Sequence, residues 1–188
     1  MKNNFRTFIL FPLFLFANIT YAQSVFTPAG TTDLFKINFW NPGISYEKSI
    51  DLDHTLRLSS YIAFLTSDPI ESPNGIRHIF FTPSLNAEFR TYYNLQQRND
   101  KGRRTAMNSA NYFAPLYIGR YSTTGLWEEY KWINQFGFVW GMQRTAPRGF
   151  SIDFHAGIVV TPGANNTFYY YPVDLLFQLS LGYNIAKK

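Results

Sequence analysis

The residues in this chain best suited to proton transfer lie around His155. The run SIDFH from Ser151 to His155 alternates a hydroxyl, a carboxylate and an imidazole with apolar residues. A histidine beside a carboxylate such as Asp153 or Glu88 could form a catalytic or proton-relay site. Acyl transfer would need a serine nucleophile activated by a histidine base. Ser151 is on the same strand face as His155, but four residues is too far for a hydrogen bond between them.

The segments that must position these residues alternate between apolar and polar positions. The clearest is Ile79–Tyr93, IFFTPSLNAEFRTYY, in which every second residue from Ile79 belongs to a mostly apolar face and the others to a mostly polar one. Successive side chains of a strand point to opposite faces, so this is a long strand with one apolar side. A strand that crosses a bilayer at a tilt needs about 9–11 residues. A long hairpin strand of a soluble sandwich is the alternative for this segment alone.

Seven other segments share this alternation, and turn residues such as Asn41-Pro42-Gly43 separate them. In the Asn111–Ser122 segment we expect Ala114, Leu116 and Ile118 to face outward. The sequence therefore predicts an all-β fold, an eight-stranded antiparallel transmembrane up-and-down β-barrel. The predicted strands are Leu34–Trp40, Ile44–Ser49, His54–Thr66, Ile79–Tyr93, Asn111–Ser122, Tyr130–Arg144, Phe150–Thr161 and Tyr169–Asn184.

The first 22 residues are predicted to be a signal peptide, and residues 23–188 the barrel domain. Lys2 and Arg6 provide a positive start, Phe8–Phe16 an apolar run, and Thr20-Tyr21-Ala22 a small-x-small cleavage site. A membrane anchor is the alternative, but the apolar run is too short to span a bilayer. The predicted localisation is the cell outer membrane.

Composition excludes several classes of function. The chain has no Cys, so disulfides do not hold this exported domain together. Its formal net charge of +5 falls to +3 when Lys2 and Arg6 are removed, too small an excess to indicate nucleic-acid binding. No metal-ligand spacing, phosphate loop or nucleotide fingerprint occurs, so no metal or cofactor is predicted.

The connections predict an orientation with both termini in the periplasm. Short turns at Asp51–Asp53 and Thr145–Gly149 are then periplasmic, and the loops at Ser67–Arg77, Thr123–Glu129 and Pro162–Thr167 extracellular. The basic segment Gln96–Asn108 breaks the rule as a long periplasmic loop, either simply solvated or docking a protein partner. Aromatic residues near strand ends are predicted at the membrane interfaces: Trp40, Trp127, Trp132, Tyr169, Tyr171 and Tyr183.

The polar faces of the strands would point into the lumen, the space that the barrel encloses. An eight-stranded barrel is just wide enough to be filled by side chains, so charges inside it must pair. The predicted lumen network is Lys36, Glu47, Arg57, Glu88, Arg90, Asp153, His155, Asp174 and Gln178. Acids and bases nearly balance in this set, which favours a self-neutralised plug over a catalytic site.

Three segments together, LFKINFWNPGISYEKSIDLDHTLRL, FTPSLNAEFRTYYNL and LFQLSLGYNI, resemble the small eight-stranded outer-membrane barrels of the OmpA/OmpX-like kind. The resemblance covers nearly all of the predicted mature chain, and it is closest to an uncharacterised family with an outer-membrane-beta-barrel domain. It implies outer-membrane lipid, lipopolysaccharide and the barrel-insertion machinery as partners, and no catalytic residues. The chain departs from the family in having no C-terminal peptidoglycan-binding extension and in ending on Ile-Ala-Lys-Lys instead of an aromatic residue.

The predicted function is a structural or interaction role at the cell surface, and not that of an enzyme. Some small barrels of this kind act on lipid A as deacylases or acyltransferases, which is the first alternative. A soluble, lipocalin-like periplasmic binding barrel is the second, but its exterior would be polar.

Overall fold

The computed structural model describes residues 30–66, 79–122, 131–163 and 172–186. The predicted signal peptide, the predicted loops Ser67–Arg77 and Thr123–Glu129, most of the Pro162–Thr167 loop, and Trp127, Tyr169 and Tyr171 lie outside these ranges. The described elements are β1 (Leu34–Trp40), β2 (Gly43–Ser49), β3 (His54–Thr66), β4 (Ile79–Thr91), α1 (Leu95–Asp100), β5 (Asn111–Ser122), β6 (Lys131–Thr145), β7 (Phe150–Val160) and β8 (Val173–Ala186).

The eight strands form one closed antiparallel barrel in which each strand pairs with its neighbours in sequence. Closure is made by β1 and β8, whose register runs from Leu34 opposite Ala186 to Trp40 opposite Leu181. Closing the sheet in this way leaves no free edge strand. The predicted all-β, eight-stranded, up-and-down barrel is confirmed, and the predicted strand ends that fall on described residues are correct to within two residues.

Side chains alternate between the two sides of the barrel wall, with polar groups inside and apolar groups outside. On β4, Leu85 is 50% exposed on the outer surface, whereas Glu88 is 2% exposed inside. The same alternation runs along β6 and β7. The outer surface of these strands is thus largely apolar, and the buried charged residues are inside the barrel.

The predicted facing of β5 is wrong. Ala114, Leu116 and Ile118 point inward and are buried, while Phe113 and Tyr121 are exposed on the outer surface. β5 carries apolar residues on both faces, so alternation alone could not distinguish inside from outside. Pairing with β6 determines the facing, because Ala114 lies opposite the inward Val139. The inward β5 residues form an apolar cluster that also contains Val139, Val159 and Leu176.

The connection between β4 and β5 is folded, whereas the sequence predicted a loop over Gln96–Asn108. It contains α1, and it packs against the barrel end that carries the termini, with Leu95 and Asn108 buried. Leu95 anchors the helix in the apolar cluster, and the Asn94 side chain accepts a hydrogen bond from the Asn111 backbone N–H at 2.8 Å. No helix among the described residues is long and apolar enough to cross a membrane.

The barrel wall is shortest, measured along the barrel axis, at the β1–β2 hairpin. These two strands have seven residues each, against 11 to 15 in the other six. The Asn41-Pro42 turn joins them and is held by hydrogen bonds to the neighbouring strands, from Ile62 N to Pro42 O and from Asn41 Nδ2 to Leu179 O. The described parts of β3 and β8 extend further along the barrel axis than this turn.

Candidate functional site

The structure gathers most of the predicted lumen residues into one buried cluster. Seven of the nine are at most 4% exposed: Lys36, Glu47, Arg57, Glu88, Arg90, Asp153 and His155. They come from β1, β2, β3, β4 and β7 and lie in the half of the barrel that carries the termini. Asp174 is exposed near the start of β8, and Gln178 is half-buried. These two residues are outside the cluster.

Asp153 is at the centre of the cluster. Its Oδ2 accepts hydrogen bonds from Arg57 Nη1 at 2.7 Å and from Arg90 Nη2 at 3.0 Å. Its Oδ1 accepts one from the Tyr112 hydroxyl at 2.8 Å. Charge-assisted bonds of this kind are the stronger class of hydrogen bond, and two guanidiniums on one carboxylate fix its position.

The two glutamates complete the pairing. Glu88 Oε2 lies 2.7 Å from Arg90 Nη2, and Glu88 Oε1 lies 3.6 Å from Arg57 Nη1. Glu47 is held mainly by neutral donors, since its Oε1 accepts hydrogen bonds from the side chains of Thr55, Tyr92 and Asn108 at 2.7–2.8 Å. Every acid of the cluster therefore has several partners.

Arg90 spans the cluster and is fully buried. Besides pairing with the carboxylates of Glu88, Asp153 and, at 3.9 Å, Glu47, it donates from Nη1 to Gln143 Oε1 at 3.1 Å. Its guanidinium carbon lies 4.0 Å from the centre of the Tyr112 ring, a cation–π contact. Gly141 makes room for that ring from the facing strand, because a Cβ there would lie 2.2 Å from Tyr112 Cζ.

The formal charges of the cluster sum to zero. Lys36, Arg57 and Arg90 supply three positive charges, and Glu47, Glu88 and Asp153 supply three negative ones. A buried charge without a partner costs several kcal/mol, so a set whose charges balance is the form in which such residues persist in a lumen. Within this set, Lys36 Nζ has no hydrogen-bond partner among the described residues. The arrangement is suited to filling and rigidifying the barrel.

His155 lies at the margin of this cluster. Its Nδ1 is 3.4 Å from the Tyr112 hydroxyl, and its Nε2 has no hydrogen-bond partner among the described residues. Ser151 is buried in the same strand, and its hydroxyl is likewise without a partner there. The nucleophile–base contact that acyl transfer needs is thus not formed between these two residues.

Several residues of the cluster were not identified from the sequence. Gln143 and Tyr92 fall on polar strand faces, so alternation was the signal that could have found them. Tyr112 was missed because β5 was assigned the opposite facing. Asn108 comes from the β4–β5 connection, where no strand periodicity exists to place it.

The three predicted interfacial aromatics that the structure describes, Trp40, Trp132 and Tyr183, are all exposed. At Trp40 the register between β1 and β8 shifts, which interrupts the alternation of β1. Trp132 and Tyr183 lie near opposite ends of the barrel.

Among the described residues, no group of three or more His, Asp or Glu side chains is placed to hold a metal ion. No protein-family model matches the chain, and neither a curated protein nor a solved structure matches it.

Proposed function

We propose that residues 23–188 form an outer-membrane barrel with a side-chain-filled lumen and a structural or interaction role at the cell surface. The main observation in support of the proposal is that the barrel wall has apolar side chains on its outside and charged side chains on its inside. The exposed outer surface includes Phe81, Leu85, Phe136, Phe138, Ile158, Leu175 and Phe177, while the charged cluster is inside. Monomeric soluble proteins rarely expose continuous apolar surface on this scale, whereas lipid solvates it.

Strand length supports the same proposal. Six of the strands have 11 to 15 residues, enough to cross a bilayer at a tilt. The seven-residue β1 and β2 are shorter than such a crossing requires. A bilayer adapts to a short wall by thinning locally, so we expect the membrane to be thinnest beside this hairpin.

The lumen favours a structural role over an enzymatic one. Its arginines are paired with its acids, and the described contacts give His155 no serine partner. No observation favours the lipid A-modifying alternative. The apolar exterior also disfavours a soluble periplasmic binder.

Cell fractionation and gel mobility test the proposal. We expect the protein in the outer-membrane fraction, beginning at Gln23 and inserted by the barrel-insertion machinery among lipid and lipopolysaccharide. In detergent, the unboiled protein should migrate differently from the boiled protein, because a closed barrel resists unfolding by detergent alone. Recovery as a soluble periplasmic protein with one mobility would overturn the proposal.

A further inference from the structure

Three arginines converge at the barrel end that carries the termini. Arg98 is in α1, Arg103 follows that helix, and Arg144 is near the end of β6. Arg98 Nη2 donates to Arg104 O at 3.1 Å, and Arg104 Nε donates to Thr145 O at 2.8 Å. The connection between β4 and β5 is therefore tied to the end of β6. The guanidiniums of Arg98, Arg103 and Arg144 lie close enough to one another to repel electrostatically.

This arginine cluster carries positive charge that no acid among the described residues pairs with. Burial lowers the pKa of Arg98, and so does the positive charge of Arg103. The charges of Arg98 and Arg103 also repel that of Arg144. Guanidinium groups stay charged at neutral pH. No ion pair among the described residues includes any of the three.

An exposed aromatic patch adjoins the arginine cluster on the outer wall. The Tyr93 ring stacks on Phe113 at 5.1 Å between ring centres, and Phe113 stacks on Phe138 at 5.9 Å. Trp140 Nε1 donates to the Tyr93 hydroxyl at 2.9 Å.

One residue links the patch to the cluster. The Asn111 side chain donates to the Tyr93 hydroxyl and accepts a hydrogen bond from Arg144. Positive charge and apolar rings thus form one continuous surface, running from the barrel end onto the wall.

We propose that this surface binds an anionic phospholipid of the adjacent leaflet. Its phosphate would bind among Arg98, Arg103 and Arg144, and its acyl chains would lie along Phe113 and Phe138. Guanidinium groups match phosphate oxygens in geometry and charge, and aromatic rings favour the headgroup level of a bilayer. The proposal rests on the membrane location proposed above and adds a lipid class to it.

Native mass spectrometry of the full mature chain tests the site. The protein is released from mixed micelles of phosphatidylglycerol and phosphatidylcholine, and the two retained lipids are compared. We expect wild type to retain phosphatidylglycerol preferentially, and R103Q/R144Q to lower that preference roughly tenfold, since each charge near an anionic surface contributes to binding. The matched control K131Q/R148Q removes the same charge from exposed residues outside the cluster and should keep the preference. An equal loss in both double variants would overturn the proposal.

Two further measurements address a variant that does not fold and the chemical source of the bound anion. If R103Q/R144Q fails to fold, R103Q alone serves, because the Arg103 side chain is exposed. Competition with inorganic phosphate distinguishes the sources of the anion. Displacement of the lipid at low millimolar phosphate would show a site for the free ion and overturn the lipid assignment.

Insertion is scored separately, by gel mobility after mixing with phosphatidylcholine vesicles. A protein that inserts there but shows no preference for phosphatidylglycerol overturns this inference alone. A protein that inserts into no vesicle overturns the proposed function as well.

Discussion

Glu88 and Asp153 neutralise two arginines of the buried cluster that water cannot reach. Glu88 contacts both Arg57 and Arg90, so truncating it would leave positive charge uncompensated inside the barrel. We expect Glu88→Ala to lower the free energy of unfolding by about 3–5 kcal/mol. Glu88→Gln should cost less, because its amide keeps some hydrogen bonds. Urea titration in detergent measures both.

Asp174→Ala is the matched control, since Asp174 is an exposed acid on the inward-facing side of β8. A surface substitution of this kind is usually within about 0.5 kcal/mol of wild type. If Glu88→Ala is no more harmful than this control, the cluster does not stabilise the barrel.

A substitution of His155 tests the alternative that the barrel is an enzyme. We expect His155→Ala to lower stability, because the imidazole fills buried space beside Tyr112. Lipid A from matched strains should have the same mass spectrum with wild type and variant. A changed lipid A spectrum at unchanged stability would identify His155 as catalytic.

Asp33 makes stability depend on pH at the start of β1. Hydrogen bonds from Lys48 and from the Ser49 backbone N–H lower the pKa of this carboxyl below its ordinary 3.8. A depressed folded-state pKa means that the contribution is complete above the unfolded value and is lost as the pH falls through the folded value.

Wild type should therefore lose more stability than Asp33→Asn between about pH 6 and pH 3, because asparagine does not titrate. Urea midpoints measured across that range give the difference between the two proteins. Curves that stay parallel would contradict a depressed carboxyl pKa.

At the scale of elements, alternation determines which side of a strand meets lipid. Leu85 is at the middle of β4 and points outward. Under the proposed membrane location, Leu85→Arg should cost about 2–4 kcal/mol, because a charge near the bilayer midplane has no partner. Leu52→Arg is the control, since Leu52 is also an exposed leucine but lies in the β2–β3 turn. Urea titration in lipid vesicles should show a clear gap between the two, and equal costs would contradict a lipid-facing β4.

The elements also show where sequence alone was sufficient and where it was not. For β4, β6 and β7 one face is polar and the other apolar, so a period of two identified both the strand and its inner face. For β5 both faces are apolar, and only the pairing of Ala114 with Val139 decides the facing. α1 has six residues and its contacts are tertiary, with Leu95 in the apolar cluster, so its local sequence resembled a solvated basic loop.

At the scale of the whole molecule, the strand count follows from the sequence, but the membership of the buried cluster does not. Seven residues of the cluster were predicted from the sequence, because they are polar or charged and alternate onto the inward faces of their strands. Asp174 also faces the lumen side but lies near the other end of β8, where the cluster does not extend, whereas Gln178 lies opposite His155 at the margin of the cluster. Whether a residue is at an odd or an even position in its strand determines which side of the barrel wall its side chain faces. It does not determine the residue's position along the barrel axis. The position along the axis can be known only from the register in which the eight strands pair.

The orientation of the barrel is the remaining property of the whole molecule, and its test is direct because the chain has no Cys. The start of β1, the end of β8, the β2–β3 and β6–β7 turns and the α1 connection are at one end of the barrel. Single cysteines at Asn74, Asn165 and Lys101 can be labelled on intact cells with a thiol reagent that does not cross membranes. Asn74→Cys and Asn165→Cys should react, because loops joining β3 to β4 and β7 to β8 belong to the opposite end. Lys101→Cys should react only after the outer membrane is opened, and labelling of Lys101→Cys alone on intact cells would invert the proposed topology.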